Sequence, residues 1–382
     1  MPSLVISTVG TSLLTNEIDE RKDPKTWILD LNKTANWNQE KIEKSSDYSH
    51  VFSKIIRPLR SRVENKLNNN NILEIREMSA ELNGIYGLYD EQLSKGNQDI
   101  HYLIATDTAQ GQATAEIVQN FLRAKGININ IFTPKGFSTD NNESFNNGID
   151  ELLNWIEDTI PGYQDSGYEI YFNLVGGFKA IQGFANTIGM FYADKIIYIF
   201  EGSNEIITIP RLPIKIDTSI IKPIQFALMA EGAWINISEL QGIPETLIFA
   251  VDKKAILTSW GRLIWNRSKE YFLSEDLLSF PKIKYETSFE KDYKKITDKK
   301  ERLKLQETIA KVSYLLVKYN GDMAPLKGDG GVQLETYTNT VIDHFRVTLS
   351  LRVSCKIVGS NLSLRYYGTH AHVERSEGIK SR

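Results

Sequence analysis

The 382-residue sequence contains a single cysteine, Cys355, and only five histidines. One cysteine excludes an intrachain disulfide and a zinc cluster built on thiolates. No apolar run approaches the ~18 residues needed to span a bilayer, which predicts no membrane partner. The N-terminus lacks a basic stretch and opens directly as a strand, so no signal peptide is expected and the chain reads as cytoplasmic. Neither sign of charge dominates: 45 Lys+Arg stand against 48 Asp+Glu, a net charge of −3. A global basic footprint for nucleic acid is therefore missing. Neither a GxGxxG fingerprint nor a GxxxxGK[ST] loop occurs, which disfavours a standard dinucleotide or nucleoside triphosphate site. Clustered carboxylates of the kind a metal nuclease needs are also missing, so no metal and no cofactor are expected.

What is present is an alternation. Short apolar runs at residues 3–8, 102–105, 127–132, 168–174, 195–200 and 205–209 are each bounded by Gly, Pro, Asn or Asp and read as buried strands. Helical spacing fills the intervals, as in the Ile55, Leu59, Val63, Leu67 ladder and in residues 113–122 and 178–191. Strand–helix alternation predicts an α/β domain with a largely parallel sheet over 1–217. Residues 68–71 read as a polar loop. Pro210 and Pro213 close the domain. Residues 218–280 change texture to short helices broken by Gly232, Gly242 and Gly261, with Thr258 or Ser259 as a helix N-cap. Residues 281–382 form a third pattern: a strand over 282–289, a charged helix over 291–318, then strands over 345–349, 352–358 and 362–367. Gly359-Ser360 makes the last hairpin turn. That order predicts an α+β domain.

Ligands of open parallel sheets sit beyond the carboxyl ends of the strands. Three loops occupy such positions. The first holds Gly10, Thr11 and Ser12; the second Thr106, Asp107 and Thr108; the third Gly176, Gly177 and Lys179. Glycine lets backbone N–H groups approach an anion, and the hydroxyls and lysine add donors. None of the loops carries a carboxylate pair or a His/Cys cluster, so they point to binding more than to catalysis.

Thr8-Val9-Gly10-Thr11-Ser12, Ala105-Thr106-Asp107-Thr108…Gly111 and Asn173-Leu174-Val175-Gly176-Gly177-Phe178-Lys179-Ala180 together resemble CARF domains, the CRISPR-associated Rossmann-fold sensors. The closing run Tyr198-Ile199-Phe200-Glu201…Ile209-Pro210-Arg211-Leu212-Pro213 does so as well. The resemblance covers about 1–217; Val175 replaces the threonine usual in the third motif. It implies a homodimer whose two-fold axis gathers both sets of loops around one cyclic oligoadenylate, cyclic tetra-adenylate by preference, as an allosteric activator.

Charge is segregated at the other end. The last 42 residues carry seven Lys/Arg, three Asp/Glu and three of the five histidines, His344, His370 and His372. A basic end on an acidic chain suits a polyanion. Arg346, Arg352 and Arg365 fall on successive predicted strands. The 370/372 alternation puts both imidazoles on one side if the last strand continues, and Phe345, Tyr366 and Tyr367 stand close by to stack on bases. Imidazoles for proton transfer and arginines for phosphate suit RNA cleavage through the ribose 2′-hydroxyl without a metal.

The run Tyr285–Asp292, the charged helix, Leu326-Lys327-Gly328, Phe345–Val353 and Tyr367-Gly368-Thr369-His370 resemble the RelE family of ribosome-dependent mRNA interferases. The resemblance implies acid/base work near Arg346, transition-state stabilisation at Arg352 and a basic role for Lys327. The acid is divided among His370, His372 and Arg375; Ala371 stands where many relatives carry aspartate. Residues 218–280 resemble a winged helix-turn-helix. Six basic residues there meet seven acidic ones, a balance that favours dimerisation and relay over DNA reading. The expectation is a cyclic tetra-adenylate-activated endoribonuclease acting on mRNA at the ribosome. A winged-helix transcriptional regulator and a ring nuclease that degrades the messenger are the alternatives.

Overall fold

The computed structural model describes residues 1–138, 141–177, 179–199, 205–338 and 340–379. Phe178, Phe200 and Glu201 of the quoted motifs lie outside them. The chain forms two compact units, Met1–Ile214 and Lys215–Arg382.

In the first unit, β1 (Ser3–Thr8), β2 (Ile100–Ile104), β3 (Asn128–Phe132), β4 (Glu169–Asn173), β5 (Lys195–Ile199) and β6 (Ile206–Pro210) make one sheet in the order β3-β2-β1-β4-β5-β6. The first five are parallel and β6 returns antiparallel on β5. Five of the six β1 residues are buried, as a central strand covered on both faces requires. The Leu59, Val63, Leu67 ladder is the buried stripe of the Arg57–Asn69 helix, and Ile55 enters it through a π-helical turn at Phe52–Ile56. The predicted loop at 68–71 is a helix joint. Asn69 ends one helix, and Asn71 opens the next through a capping box with Glu74.

The chain leaves β1 toward β2 and β3, then crosses back to place β4 on the other side of β1. The carboxyl ends of β1 and β4 are thus the point at which the winding reverses, where such sheets open a cleft.

His101 on β2 is fully buried. The Tyr89 hydroxyl donates to Asp99 Oδ2 at 2.8 Å and lies 2.7 Å from His101 Nε2, while His101 Nδ1 has no partner among the described residues. Burial pushes the imidazole down to about 3. Below the ordinary histidine value of about 6.5 the unfolded chain takes up a proton that the folded unit refuses. Stability is therefore lost as pH falls from about 6.5 toward 3, by roughly 2 kcal/mol at pH 5. Thermal unfolding at pH 7 and pH 5 should show that loss, and His101→Gln should flatten it.

In the second unit, β10 (Ile283–Tyr285), β11 (Glu335–Thr336), β12 (Asp343–Arg346), β13 (Leu351–Val358) and β14 (Asn361–Thr369) form a sheet ordered β10-β14-β13-β12-β11. All pairs are antiparallel except β10–β14. Between the two larger sheets in sequence, β7 (Ile235–Asn236), β8 (Ile248–Val251) and β9 (Lys254–Leu257) make a separate three-stranded sheet, and Thr258 caps the Ser259–Leu273 helix by accepting from Gly261 N–H at 3.1 Å. One hydrophobic core runs from Phe226 and Trp265 through Leu305 and Ile309 to Phe345 and Tyr367. The boundary read at 280/281 falls inside this shared core.

Two sequence expectations fail here. The strand read over 282–289 stops at Tyr285, and Thr287–Lys295 is a helix. Phe289, Asp292 and Tyr293 are its buried residues, spaced i, i+3, i+4: a helix puts all three on one face, whereas a strand would send the adjacent Asp292 and Tyr293 to opposite faces. His370 and His372 do not continue β14. Thr369 accepts from His372 N–H and starts the His370–Ser376 helix. At ~100° per residue the two imidazoles leave that helix about 200° apart, not on one side.

Candidate functional site

At the winding reversal, the first and third loops touch. A Cβ on Gly10 would lie 3.1 Å from Gly177 N, and Gly177 holds φ +109°. The Thr8 hydroxyl donates to Gly176 O. Gln182 Nε2 donates to the carbonyls of Leu174, Val175 and Gly176 at 3.2–3.4 Å, which fixes the third loop. The hydroxyls of Thr11 and Ser12 and the amine of exposed Lys179 bond to no described residue. They are the unengaged donors of the cleft.

The second loop differs. Thr106 and Thr108 are buried with their hydroxyls 3.0 Å apart, and Thr108 caps the Ala109–Ala124 helix through Gly111 N–H. Asp107 Oδ2 accepts from Gly136 N–H at 3.1 Å. These three side chains are spent on the fold.

Glu81 escapes sequence reading. It lies at a helix start behind Ser79, where an acid is ordinary, yet it is 1% exposed. Its Oε1 accepts from Gly10 N–H at 2.6 Å and its Oε2 from the Ser79 hydroxyl at 2.8 Å. A Cβ on Gly176 would lie 2.0 Å from Glu81 Oε1. One buried carboxyl thus sets the spacing of both loops.

In the second unit, the β12–β13 register places Arg346 opposite Arg352 and His344 opposite Ser354. Paired residues share a face, so His344, Arg346 and Arg352 stand together, and Phe345 and Val353 go to the core. Like charges directly opposite destabilise a sheet. No carboxylate relieves these two among the described residues. Among the described residues Arg352 donates only to the carbonyls of Thr348 (3.1 Å) and Leu351 (3.3 Å), and buried Arg346 Nε has no partner.

Beside them, the Tyr337 and His344 rings stack at 4.1 Å, with His370 about 6 Å from each. Tyr337 Oη and His344 Nδ1 are buried and have no hydrogen-bond partner among the described residues. Burial pushes the Tyr337 phenol up to about 12, Glu374 adding to the rise and Arg352 opposing it. Burial lowers His344, a fall Glu335 opposes and Arg352 and His370 reinforce. Arg352 therefore acts electrostatically on both rings. Sequence reading named His344 without a place and missed Tyr337; nothing short of the register joins them.

Other candidates fall elsewhere. Arg365 occupies the bulge of β14 and is committed to Glu377 (2.9 Å) and Glu286 (3.1 Å), which raise its already high pKa further. Lys327 is exposed in the short Ala324–Gly328 helix and makes no hydrogen bond to the other candidates. Cys355 is buried and its thiol is pushed up by burial, which suits a core residue. The described residues contain no group of three or more His, Cys, Asp or Glu side chains that could hold a metal ion, and no helix among them is long and apolar enough to cross a membrane.

The first unit is thus a doubly wound α/β sheet with unengaged donors at its switch point. Residues 76–212 match the family model described as CRISPR-associated protein (Cas_APE2256). Over that stretch, about a third of the chain, the protein is similar to that CRISPR-associated family. The match takes in Glu81 and the second and third loops, and includes neither the first loop nor the second unit.

Proposed function

We propose that the chain is a CARF sensor joined through a winged helix to a RelE-like ribonuclease, activated by cyclic tetra-adenylate bound across a homodimer. Free Thr11 and Ser12 hydroxyls and Lys179 at the switch point support the anionic ligand, and the CRISPR-associated family match supports the setting. The observation that carries the ribonuclease is the Arg346–Arg352 pair, two cations held side by side without a carboxylate. Such a pair gains stability when a phosphate lies over it. In this reading the 2′-hydroxyl attacks its own phosphate, the arginines stabilise the pentacoordinate charge, and exposed His370 accepts the 2′-proton.

Purified protein incubated with translating ribosomes and EDTA, with or without cyclic tetra-adenylate, tests this. Primer extension should map cuts at the ribosomal A site only with the ligand. Ligand binding with no cleavage would leave the sensor and remove the nuclease.

A further inference from the structure

We propose that His372 is the proton donor to the 5′-oxygen leaving group and that Asp292 is its positioning residue; this rests on the ribonuclease reading above. A row of groups crosses the sheet. Arg346 on β12 pairs with Arg352 on β13, and Arg352 pairs with Gly368 on β14. The His372 ring covers Gly368 on the side its missing Cβ would take: a Cβ there would lie 2.8 Å from His372 Cδ2. The imidazole therefore stands on the same face as the arginine side chains, next in the row.

Its orientation is fixed from behind. His372 Nε2 lies 3.2 Å from Asp292 Oδ2. Asp292 is 8% exposed on the Thr287–Lys295 helix, reaching the edge of β14 that β10 leaves uncovered beyond Leu364. The same oxygen accepts from Tyr367 N–H at 3.2 Å, and Oδ1 is held by Lys295 at 2.9 Å. Burial works against the ionised carboxyl, yet Lys295, His372 and the Tyr367 N–H hold it below the usual range. An ionised, anchored carboxylate on Nε2 fixes that nitrogen as N–H and leaves Nδ1 to serve substrate.

The rival acids lack this support. The ion-pair partner of His370 is Glu374 of its own helix, 3.5 Å away. An arginine does not release its proton in a protein, which removes Arg375. In the step, the O2′–P bond forms and the P–O5′ bond breaks. The Nδ1 proton passes to the 5′-oxygen, and the 2′-proton passes to His370. The products are a 2′,3′-cyclic phosphate and a 5′-hydroxyl.

The test uses the full chain with cyclic tetra-adenylate and ribosomes carrying a synthetic mRNA. One version has the normal linkage at the mapped cut; another has a bridging sulfur in place of the 5′-oxygen. Sulfur leaves without protonation, so it bypasses the acid. His372→Ala should slow the oxygen substrate by about 10²-fold or more and the sulfur substrate by less than about 10-fold. Asp292→Asn should show the same selective defect at about 10-fold. The sulfur-to-oxygen rate ratio is independent of the folded fraction, so partial unfolding cannot imitate it. Equal slowing of both substrates, or of neither, overturns the proposal and leaves the nuclease intact. Wild-type protein cutting neither substrate overturns the ribonuclease reading itself.

Discussion

Arg352→Ala is expected to lower ligand-activated RNA cleavage by about 10³-fold while leaving the unfolding temperature within a degree or two of wild type. The loss follows from the missing cation at the pentacoordinate phosphate; removing one well-placed donor typically costs 10²–10³ in rate. Stability holds because the substitution relieves about as much repulsion as it loses in hydrogen bonding. The guanidinium donates only to two carbonyls, and the like charge of Arg346 faces it across the strand pair. Relief of that repulsion is worth about 0.2–1 kcal/mol, comparable with the net value of the lost bonds. Arg365→Ala should do the reverse. It strips the partner from Glu377, whose side chain is 2% exposed, and loosens the tie to Glu286. Breaking such a pair from one side costs about 3 kcal/mol or more. Calorimetry beside a cleavage assay separates the two arginines. A destabilised Arg352→Ala with proportionate loss of activity would mean that Arg352 is structural too.

Gly176→Ala is expected to abolish binding of cyclic tetra-adenylate, by at least about 10²-fold in titration calorimetry. The new methyl would start 2.0 Å from Glu81 Oε1 and 2.4 Å from Glu81 Cδ, in a direction the backbone fixes. Either the third loop moves off the first or Glu81 swings away from Gly10 N–H, and a buried donor left unpaired costs about 1–3 kcal/mol. Both outcomes change the spacing of the loops that present Thr11, Ser12 and Lys179. Glu81→Ala makes room but strands the Gly10 N–H and the Ser79 hydroxyl, so the single variants should each be impaired and the double variant less than additively so. Binding unchanged in Gly176→Ala would place the ligand away from the switch point.

The two halves of the chain were unequally legible. Strands β1, β2, β4 and β5 match apolar runs because an inner parallel strand is covered on both faces, whereas the edge strands β3 and β6 are only partly buried. The three loops were found for the same reason, since each follows such a run. Their division of labour was not visible. Thr106 and Thr108 look as much like ligand donors as Thr11 and Ser12, and only the 3.0 Å contact between their hydroxyls and the cap on Gly111 assign them to the fold.

The C-terminal region misled more because its signals are local and weak. Residues 282–289 carry alternation enough to suggest a strand. The helix is what buries Phe289, Asp292 and Tyr293 together, since in a strand the adjacent pair would face opposite ways. The histidine pair was assigned to one side on strand geometry. The Thr369 cap turned it into a helix and sent His370 toward Tyr337 and His372 toward Asp292.

By itself the sequence determined the alternation of the first unit, the position of its glycine- and hydroxyl-bearing loops, the absence of thiolate chemistry, and a basic, histidine-rich C-terminal end. Those depend on residue type and spacing along the chain. Tertiary structure decided which residues meet. Glu81 reaches Gly10 across 71 positions, and Asp292 reaches His372 across 80. Tyr337 stacks on His344 only because β11 and β12 pair in one register. Strand pairing and helix docking bring such distant groups together through the burial of other residues, so no pattern at the residues themselves records the contact.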